Sequence, residues 1–291
     1  KIFGLKRHLG DNINGPSLIR VPGWVEKPLG KYYLYFGHHG GQYIRLAYSD
    51  SPEGPYKLYK PGVLRKKETF IQDAEHTGRR SHLASPDLLI EQETKTLRMY
   101  FHANIRGTGI YSDQSQTSYL ATSKDGLDFK ADPTLLGPFY MKVFKHDGYY
   151  YSIAKNHNKG GILVRSKDGK SLFERGHDII EGFRHCALLQ RGNTMYIFFT
   201  RAFEMPESIL LSEMDLGANW MDWEPTESKL VLKPELDWEG ANLPLTMSRW
   251  GGTGVSNHLR DPCIFEEEGK VYLLYCFKGE GGIAIARIEG I

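Results

Sequence analysis

Short apolar runs rich in tyrosine, phenylalanine, leucine and valine recur along the chain, and turn residues separate them. The clearest example, residues 257–276, reads NHLRDPCIFEEEGKVYLLYC. Two apolar runs joined by a short turn that contains glycine, here Gly269, predict a β-hairpin. Because proline cannot donate to a strand ladder, Pro262 belongs at the start of the first strand. Arg260 and Asp261 then lie where a side chain can face an open cleft.

The same order of a polar lead, a short strand, a turn and an aromatic strand occurs four more times, over residues 14–36, 85–101, 137–151 and 184–199. A third apolar run follows each aromatic strand. In four of the five units an outer segment comes next, around Tyr56, Phe129, Phe173 and Trp223. Repeats of this length and all-strand character are typical of propeller blades. The sequence therefore predicts an all-β fold, a five-bladed β-propeller that forms a single domain over residues 1–291.

The fifth unit stops after its third strand, so one strand is missing from the predicted ring. Closing a ring without an exposed edge requires that strand. We expect residues 2–5, Ile2 to Leu5, to supply it by pairing with the last blade. The alternative is a frayed terminus.

Composition narrows the function classes. A net charge of +2 gives no field that would attract nucleic acid or an anionic membrane. No run of 18 apolar residues predicts a membrane span, and three cysteines make no disulfide framework. The chain begins with Lys1, so a removed signal peptide remains open. The protein would then be secreted or periplasmic, and otherwise cytoplasmic; the oligomeric state stays open.

Two long insertions, residues 61–82 and 233–260, lead into innermost strands, and we expect them to lie over the mouth of the axial funnel. Polar residues at the starts of the five innermost strands should converge there and form a pocket for a polyhydroxylated ligand. They are Asn14, His82, Asp87, Tyr140, Lys142, Arg184, His185, Arg260 and Asp261.

Residues 32–39, 43–47, 82–87, 238–241 and 259–262 resemble the five-bladed propeller glycosidases, broadly the family 43-like proteins, and within them an uncharacterised bacterial branch. The resemblance implies hydrolysis of arabinosides, xylosides and related glycans by inversion. It implies an Asp base on blade one, an orienting Asp on blade two and a Glu acid on blade three. Asp87 matches the blade-two position, but residues 14–16 and 136–138 carry no carboxylate at the other two.

A displaced catalytic pair is one explanation, because inversion needs two well-separated carboxyl groups. Asp261 is the candidate base or transition-state stabiliser, since its Arg-Asp-Pro triplet also resembles that of the fructoside-cleaving propellers. Glu239 is the candidate acid, and Asp11 could return a carboxylate to blade one. A histidine is the alternative acid, as in a related propeller family, and His82, His185 and His258 are all placed for that role.

The residues expected to bind substrate are Asn14, His39, Arg45, His82, Tyr140, Arg184, His258 and Arg260. Arg45, Arg184 and Arg201 could clamp a carboxylate by bidentate pairing, which would favour an acidic sugar such as a uronate. No spaced motif predicts a metal site or another cofactor. The family resemblance leaves a structural calcium on the propeller axis as an alternative.

The sequence thus favours a glycoside hydrolase that acts on an oligo- or polysaccharide in the central funnel with acid and base carboxylates. Two alternatives remain. One is a polysaccharide lyase acting on a uronate-containing glycan, in which His185 and Tyr140 would move the proton. The other is a carbohydrate-binding propeller without catalysis, which the two missing carboxylates permit.

Overall fold

The computed structural model describes residues 2–3, 12–71, 82–252 and 254–291, and it is an all-β structure. Its first ten strands are β1 (Ile2–Phe3), β2 (Asn14–Arg20), β3 (Tyr32–Gly37), β4 (Tyr43–Ser49), β5 (Tyr56–Arg65), β6 (Leu83–Glu91), β7 (Thr96–Ala103), β8 (Thr117–Ser123), β9 (Lys130–Ala131) and β10 (Gly137–His146). The others are β11 (Tyr149–Asn156), β12 (Gly160–Ser166), β13 (Glu174–Glu181), β14 (Phe183–Arg191), β15 (Thr194–Arg201), β16 (Ile209–Asp215), β17 (Lys229–Leu232), β18 (Arg260–Glu267), β19 (Lys270–Phe277) and β20 (Gly282–Ile288). Short 3-10 turns occupy Lys66–Glu68, Gly109–Tyr111, Trp220–Asp222 and Asp237–Glu239.

The strands form five antiparallel meanders in chain order. These are β2 to β5, β6 to β8 with β9 beside β8, β10 to β13, β14 to β17, and β18 to β20. A two-residue ladder between β8 and β10 joins the second and third meanders into one eight-stranded sheet. The meanders match the five units of the sequence, because alternating apolar residues and tight turns favour local antiparallel pairing.

Each hydrophobic core lies between two successive meanders. Tyr35 of the first meander, for example, shares a core with Phe101 of the second. The fifth meander shares one core with the fourth and another with the first, where Leu274 packs with Leu34. The backbone N–H of Ile13 also donates to the carbonyl of Glu280 at 2.8 Å. Contacts therefore run from each meander to the next, and from the last back to the first.

The N-terminal strand does not pair where the sequence led us to expect. Ile2–Phe3 runs parallel to β5, the outer strand of the first meander, with Ile2 opposite Tyr56. The expectation that it completes the fifth meander is wrong for these two residues; residues 4 and 5 lie outside the described ranges. The reason is that β5 is a ten-residue outer strand whose free edge can accept a further strand.

All five first strands contain a β-bulge near their start. The ladder shifts between Asn14 and Ser17, and at the matching places in β6, β10, β14 and β18. In four of these bulges one residue has a positive φ, namely Gly15, Ser85, Tyr140 and Asp261 at 56°, 48°, 59° and 48°. An L-residue pays an energetic cost in this left-handed region, so the bulges are specified by their surroundings. Because these bulges occupy matching positions in their strands, Ser85, Tyr140 and Asp261 lie at the same level of the structure.

None of the described helical segments is long and apolar enough to cross a membrane. All three cysteines are buried and carry free thiols.

Candidate functional site

Two cavities lie between the first strands of the five meanders, one at the level of the bulges and one beyond it. The first has a volume of about 10 Å³ and is lined by Gly15, Ser85, Tyr140, Met141, Lys142, His185, Cys186, Asp261 and Pro262. The second has a volume of about 150 Å³ and is lined by residues further along the same strands, including Ser17, Asp87, Lys142, Ala187 and Cys263. Residues remote in sequence therefore meet at the starts of these strands.

Asp261 and His185 form a buried pair at the first cavity. The Nδ1 of His185 contacts the Oδ1 of Asp261, and the backbone N–H of Gly15 donates to Oδ2 at 3.1 Å. Burial alone would raise the pKa of Asp261, but His185, the Gly15 N–H and Arg260 hold it well below its usual range. Burial lowers the pKa of His185, although Asp261 opposes that shift. The pair is therefore a carboxylate and a neutral imidazole near neutral pH.

Tyr140 and Lys155 lie beside this pair. The Tyr140 ring is 4.4 Å from the His185 ring, edge to face. The Nζ of Lys155 lies 5.5 Å from the centre of the Tyr140 ring and 4.3 Å from that of Trp250. Burial, and next the charge of Arg184, lowers the pKa of Lys155 to about 7. A lysine in this state can carry or release a proton near neutral pH.

A network of buried charged residues lies around the His185–Asp261 pair. One oxygen of Glu207 lies 3.0 Å from Arg184 Nε in an ion pair, and the other accepts a hydrogen bond from Arg260 Nε at 2.9 Å. The Glu207 side chain is fully buried. Arg260 Nη1 also lies 3.4 Å from Glu280, whose second oxygen is 2.6 Å from His39 Nδ1. Burial opposes protonation of His39, but the hydrogen bond to Glu280 raises its pKa overall. The two arginines are thus neutralised by carboxylates within the protein.

Part of the 233–260 insertion lies directly on these charges. Arg184 donates through Nη1 to the carbonyl of Arg249 and through Nη2 to that of Gly251 at 3.0 Å. Arg260 donates to the same Gly251 carbonyl at 3.2 Å. Trp250 lies between these two attachment points and covers Lys155. We call residues 248–252 the strap, because two buried arginines fasten it across the site.

Asp87 does not share the cavity of Asp261. It follows the bulge residue Ser85 by two positions, a distance of about 7 Å along a strand, and it lines the second cavity. Its carboxylate accepts from Lys142 Nζ at 3.1 Å and from the backbone N–H of Val143 at 3.0 Å. Lys142 lines both cavities. Any influence of Asp87 on the first cavity would therefore pass through Lys142.

Glu239 is held by its own loop rather than presented to a ligand. Its side chain accepts from the backbone N–H groups of Glu235 and Leu236, each at 3.0 Å, and from the Tyr275 hydroxyl at 2.6 Å. The residue is 2% exposed. These three donors use the carboxylate to fasten the 3-10 turn to β19, and we therefore withdraw it as the candidate acid.

The other residues that were expected to bind substrate either lie at the site or hold the residues that do. Asn14 donates to Glu280 at 3.2 Å, and its buried Oδ1 has no partner among the described residues. The Nε2 atoms of His82 and the buried His102 are 3.3 Å apart, and burial lowers both pKa values, that of His82 to about 4. His258 accepts from the Glu207 backbone N–H at 3.1 Å, so it holds the network.

Two further candidates from the sequence, Arg45 and Asp11, are not among the residues of the described site. The buried Arg45 guanidinium lies over the Tyr43 ring at 4.9 Å, and it is not among the residues lining either cavity. Burial lowers its pKa. Asp11 lies outside the described residues. Neither can be assigned to the site.

A calcium ion on the axis does not suit the residues present. The axial carboxylates Asp87 and Asp261 already pair with Lys142 and His185, so a cation would have to displace them. Among the described residues, no group of three or more His, Cys, Asp or Glu side chains is arranged to hold a metal.

Sequence reasoning missed Lys155, Glu207 and Glu280. A signal existed for Lys155, which is the penultimate residue of β11 and lies opposite Phe139, just as His102 is the penultimate residue of β7 and lies opposite Ala84. These two polar residues near the ends of aromatic strands should therefore have been considered together with the starts of the first strands. Glu207 and Glu280 lie in short connections whose sequence carries no comparable pattern.

Comparison with known proteins gives a relative by sequence and several by structure. No family model matches the chain. The uncharacterized protein R118 of Acanthamoeba polyphaga mimivirus is 34% identical over 305 residues, which cover 95% of this chain and 83% of that protein. The chain belongs to the R118 family. The expected bacterial branch is not supported, because this relative of the R118 family is viral.

Solved structures similar to this member of the R118 family are propeller glycosidases. An exo-1,5-α-L-arabinanase from a bovine ruminal metagenomic library has a TM-score of 0.62 at 12% identity and covers 96% of this chain and 94% of its own. The α-L-arabinanase of Cellvibrio cellulosa gives 0.64 at 11% identity, with 96% and 93% covered. RS223-β-xylosidase gives 0.61 at 14%, with 97% and 94% covered. The resemblance to family 43 glycosidases is confirmed at the level of the fold.

Proposed function

We propose that the protein cleaves a glycosidic bond of an oligo- or polysaccharide, which it binds at the starts of the five first strands. In this proposal the five meanders are the blades of one ring, and residues 1–291 form a single propeller domain. The shared cores between successive meanders, and between the last and the first, support that architecture. The fold common to arabinanases and xylosidases supports the reaction class only by analogy.

The observation that carries the proposal is the His185–Asp261 pair in the cavity where all five first strands meet. A carboxylate bonded to one imidazole nitrogen fixes the tautomer and leaves the other nitrogen able to take a proton. We assign His185 as the general base that takes a proton from the attacking water, and Asp261 as the residue that orients His185 and stabilises its charged form. The Tyr140 hydroxyl, which burial keeps protonated, is assigned as the donor of the proton that the leaving oxygen takes up. Asp87 is assigned a supporting role through Lys142.

Substrate entry requires that the strap move. A cavity of about 10 Å³ cannot hold a sugar, since small-molecule sites commonly measure about 300 to 1,000 Å³. The strap lies on Arg184 and Arg260, and no strand ladder includes it. Displacing its carbonyl groups would free guanidinium N–H donors for sugar hydroxyls, so opening and binding would use the same donors.

Elimination is the second candidate, and the contact between Tyr140 and His185 favours it. A lyase removes the proton beside a uronate carboxylate and protonates the leaving oxygen. Burial raises the pKa of Tyr140, so its hydroxyl stays protonated and can donate. His185 would take the proton in either reaction. The two reactions differ in their product, because elimination leaves an unsaturated sugar that absorbs ultraviolet light.

The test is an assay of the purified protein on arabino-, xylo- and uronate oligosaccharides, with reducing ends and ultraviolet absorbance followed together. Hydrolysis predicts new reducing ends without absorbance, and elimination predicts both. Asp261→Asn and His185→Ala should each lose turnover by about 10² to 10⁴ fold. Binding without turnover, unchanged in Asp261→Asn, would instead identify a carbohydrate-binding propeller and overturn the proposal.

A further inference from the structure

Lys155 is a buried cation without a matching anion. The residue is 3% exposed, and within the described ranges no carboxylate lies at ion-pair distance from its ammonium group. Three ring faces lie close to its ammonium group, those of Trp250 at 4.3 Å, Phe139 at 5.2 Å and Tyr140 at 5.5 Å. Ring faces attract a cation, but they do not replace the solvation that burial removes.

The carboxylates nearby are already used by other groups. Glu207 is shared by Arg184 and Arg260, Glu280 pairs with Arg260 and His39, and Asp261 pairs with His185. A further donor is also unsatisfied, since the buried Nη2 of Arg260 has no acceptor among the described residues. Lys155 and the Nη2 of Arg260 are therefore donors at the site to which the described residues supply no acceptor.

The surroundings of Lys155 suit a sugar more than a free ion. Tyr140 presents an apolar ring face next to the ammonium group, and such a face can pack against a pyranose ring once the strap that carries Trp250 has moved. The His185–Asp261 pair, where we expect bond cleavage, contacts the same Tyr140 ring. An anionic substituent on a sugar bound there would meet Lys155.

We propose that Lys155 is the specificity residue for an anionic sugar, binding a carboxylate or an ester anion carried by the sugar ring. This inference rests on the proposed carbohydrate site and adds its substrate class. It also replaces the arginine clamp expected from the sequence, because Glu207 already neutralises the charges of Arg184 and Arg260. An anion at Lys155 would restore the missing partner of a buried charge, so the binding free energy should favour charged over neutral sugars.

The affinity should depend on pH, because only protonated Lys155 attracts an anion. With a pKa of about 7 in the free protein, the affinity should be constant below pH 7 and fall about tenfold per unit above it. The titratable and charged groups that face Lys155 are Tyr140, Arg184, Glu207, Arg260, Asp261, His102 and His185. Burial raises the pKa of Tyr140, so it stays neutral in this range. Both histidines have lowered pKa values and stay neutral above pH 7, so they do not change the sign.

The experiment is calorimetric titration of the full chain with galacturonate, glucuronate, glucose 6-phosphate, galactose and inorganic phosphate. At pH 6 we expect the wild type to bind at least one of the three anionic sugars at least tenfold more tightly than galactose. The anionic sugar with the highest affinity shows whether the site prefers a carboxylate or a phosphate ester. Tighter binding of inorganic phosphate than of every sugar would contradict a sugar site and overturn the inference.

Lys155→Met should abolish the preference for the charged sugar, and Lys155→Gln gives a second, polar variant for the same measurement. The matched control is Lys159→Met, which removes an exposed lysine from the neighbouring groove and should leave the preference unchanged. A preference that survives in both Lys155 variants, or that is lost in Lys159→Met, would overturn the inference.

The titration is repeated on Asp261→Asn to separate this inference from the proposed function. Retained preference in Asp261→Asn, with no turnover by the wild type on any substrate, would support the subsite and contradict the enzyme. Turnover confined to neutral glycans, with no charged-sugar preference, would support the enzyme and contradict the subsite.

Discussion

The Nδ1 of His185 contacts the Oδ1 of Asp261 across two neighbouring first strands, although 76 positions separate the residues in sequence. Asp261→Asn keeps the size of this side chain but removes the charge that orients the imidazole. We expect turnover to fall by about 10² to 10⁴ fold. Initial rates on whichever oligosaccharide the wild type cleaves would measure it. Loss confined to KM would contradict the assigned role.

The pH dependence of turnover follows from the lowered pKa of His185. A general base must be neutral, so kcat/KM should fall as pH drops through that pKa, below the usual value for histidine. Above it the rate should be level with respect to this group. In Asp261→Asn the residual acid limb should move to still lower pH, because the carboxylate that favours protonation is gone. A limb that moves upward would refute the pairing.

Glu207 should be a major contributor to stability. It neutralises Arg184 and Arg260 in a fully buried position, so Glu207→Gln leaves two buried guanidinium groups with insufficient counter-charge. We expect the free energy of unfolding to fall by about 3 to 5 kcal/mol. Urea denaturation would measure it, with Glu174→Gln as the control. Glu174 pairs with Arg165 on the surface, and its loss should cost less than about 1 kcal/mol.

Lys155 should reduce stability at low pH. Burial lowers its pKa from 10.5 to about 7, so between these values the unfolded chain binds more protons than the folded one. Wild-type stability should therefore rise with pH across that window. Lys155→Met should be more stable than the wild type at pH 6, by on the order of 3 kcal/mol, and this advantage should shrink toward pH 10. A constant difference in urea midpoints across the window would contradict it.

Glu239→Gln separates a structural carboxylate from a catalytic one. The substitution weakens the acceptor for two backbone N–H groups and for Tyr275, so we expect a loss of about 1 to 3 kcal/mol in unfolding free energy. Turnover of the folded variant should stay within a few fold of the wild type. A loss of a hundredfold or more at unchanged stability would restore Glu239 as the acid.

The repeated pattern of apolar runs and turns predicted most of the fold, because each meander is a local structure whose strands and turns are contiguous in sequence. It also singled out Asp261 and His185, which lie at the starts of first strands and do meet. It could not place Asp87 correctly in depth. The bulge at Ser85 adds a residue, and a proline in the motif does not reveal how the ladder shifts around it.

Partners fixed by distant loops were beyond the sequence. Glu207 and Glu280 become recognisable only when Arg184 and Arg260 are seen between them. Ile2–Phe3 was assigned to the wrong edge because two outer edges of the sheets were available, and the pattern of two residues cannot choose between them. Glu239 is a different case, because two of its donors are backbone N–H groups of its own turn, and a sequence does not show that the side chain folds back onto them.

The most direct test is a crystal structure of Asp261→Asn with a bound uronate oligosaccharide. We expect the sugar between His185, Tyr140 and Lys155, its carboxylate on Lys155, and the strap moved off Arg184. A sugar bound instead in the open groove of about 360 Å³ lined by Phe139, His157 and Lys159 among others, with the strap still fastened, would contradict the account.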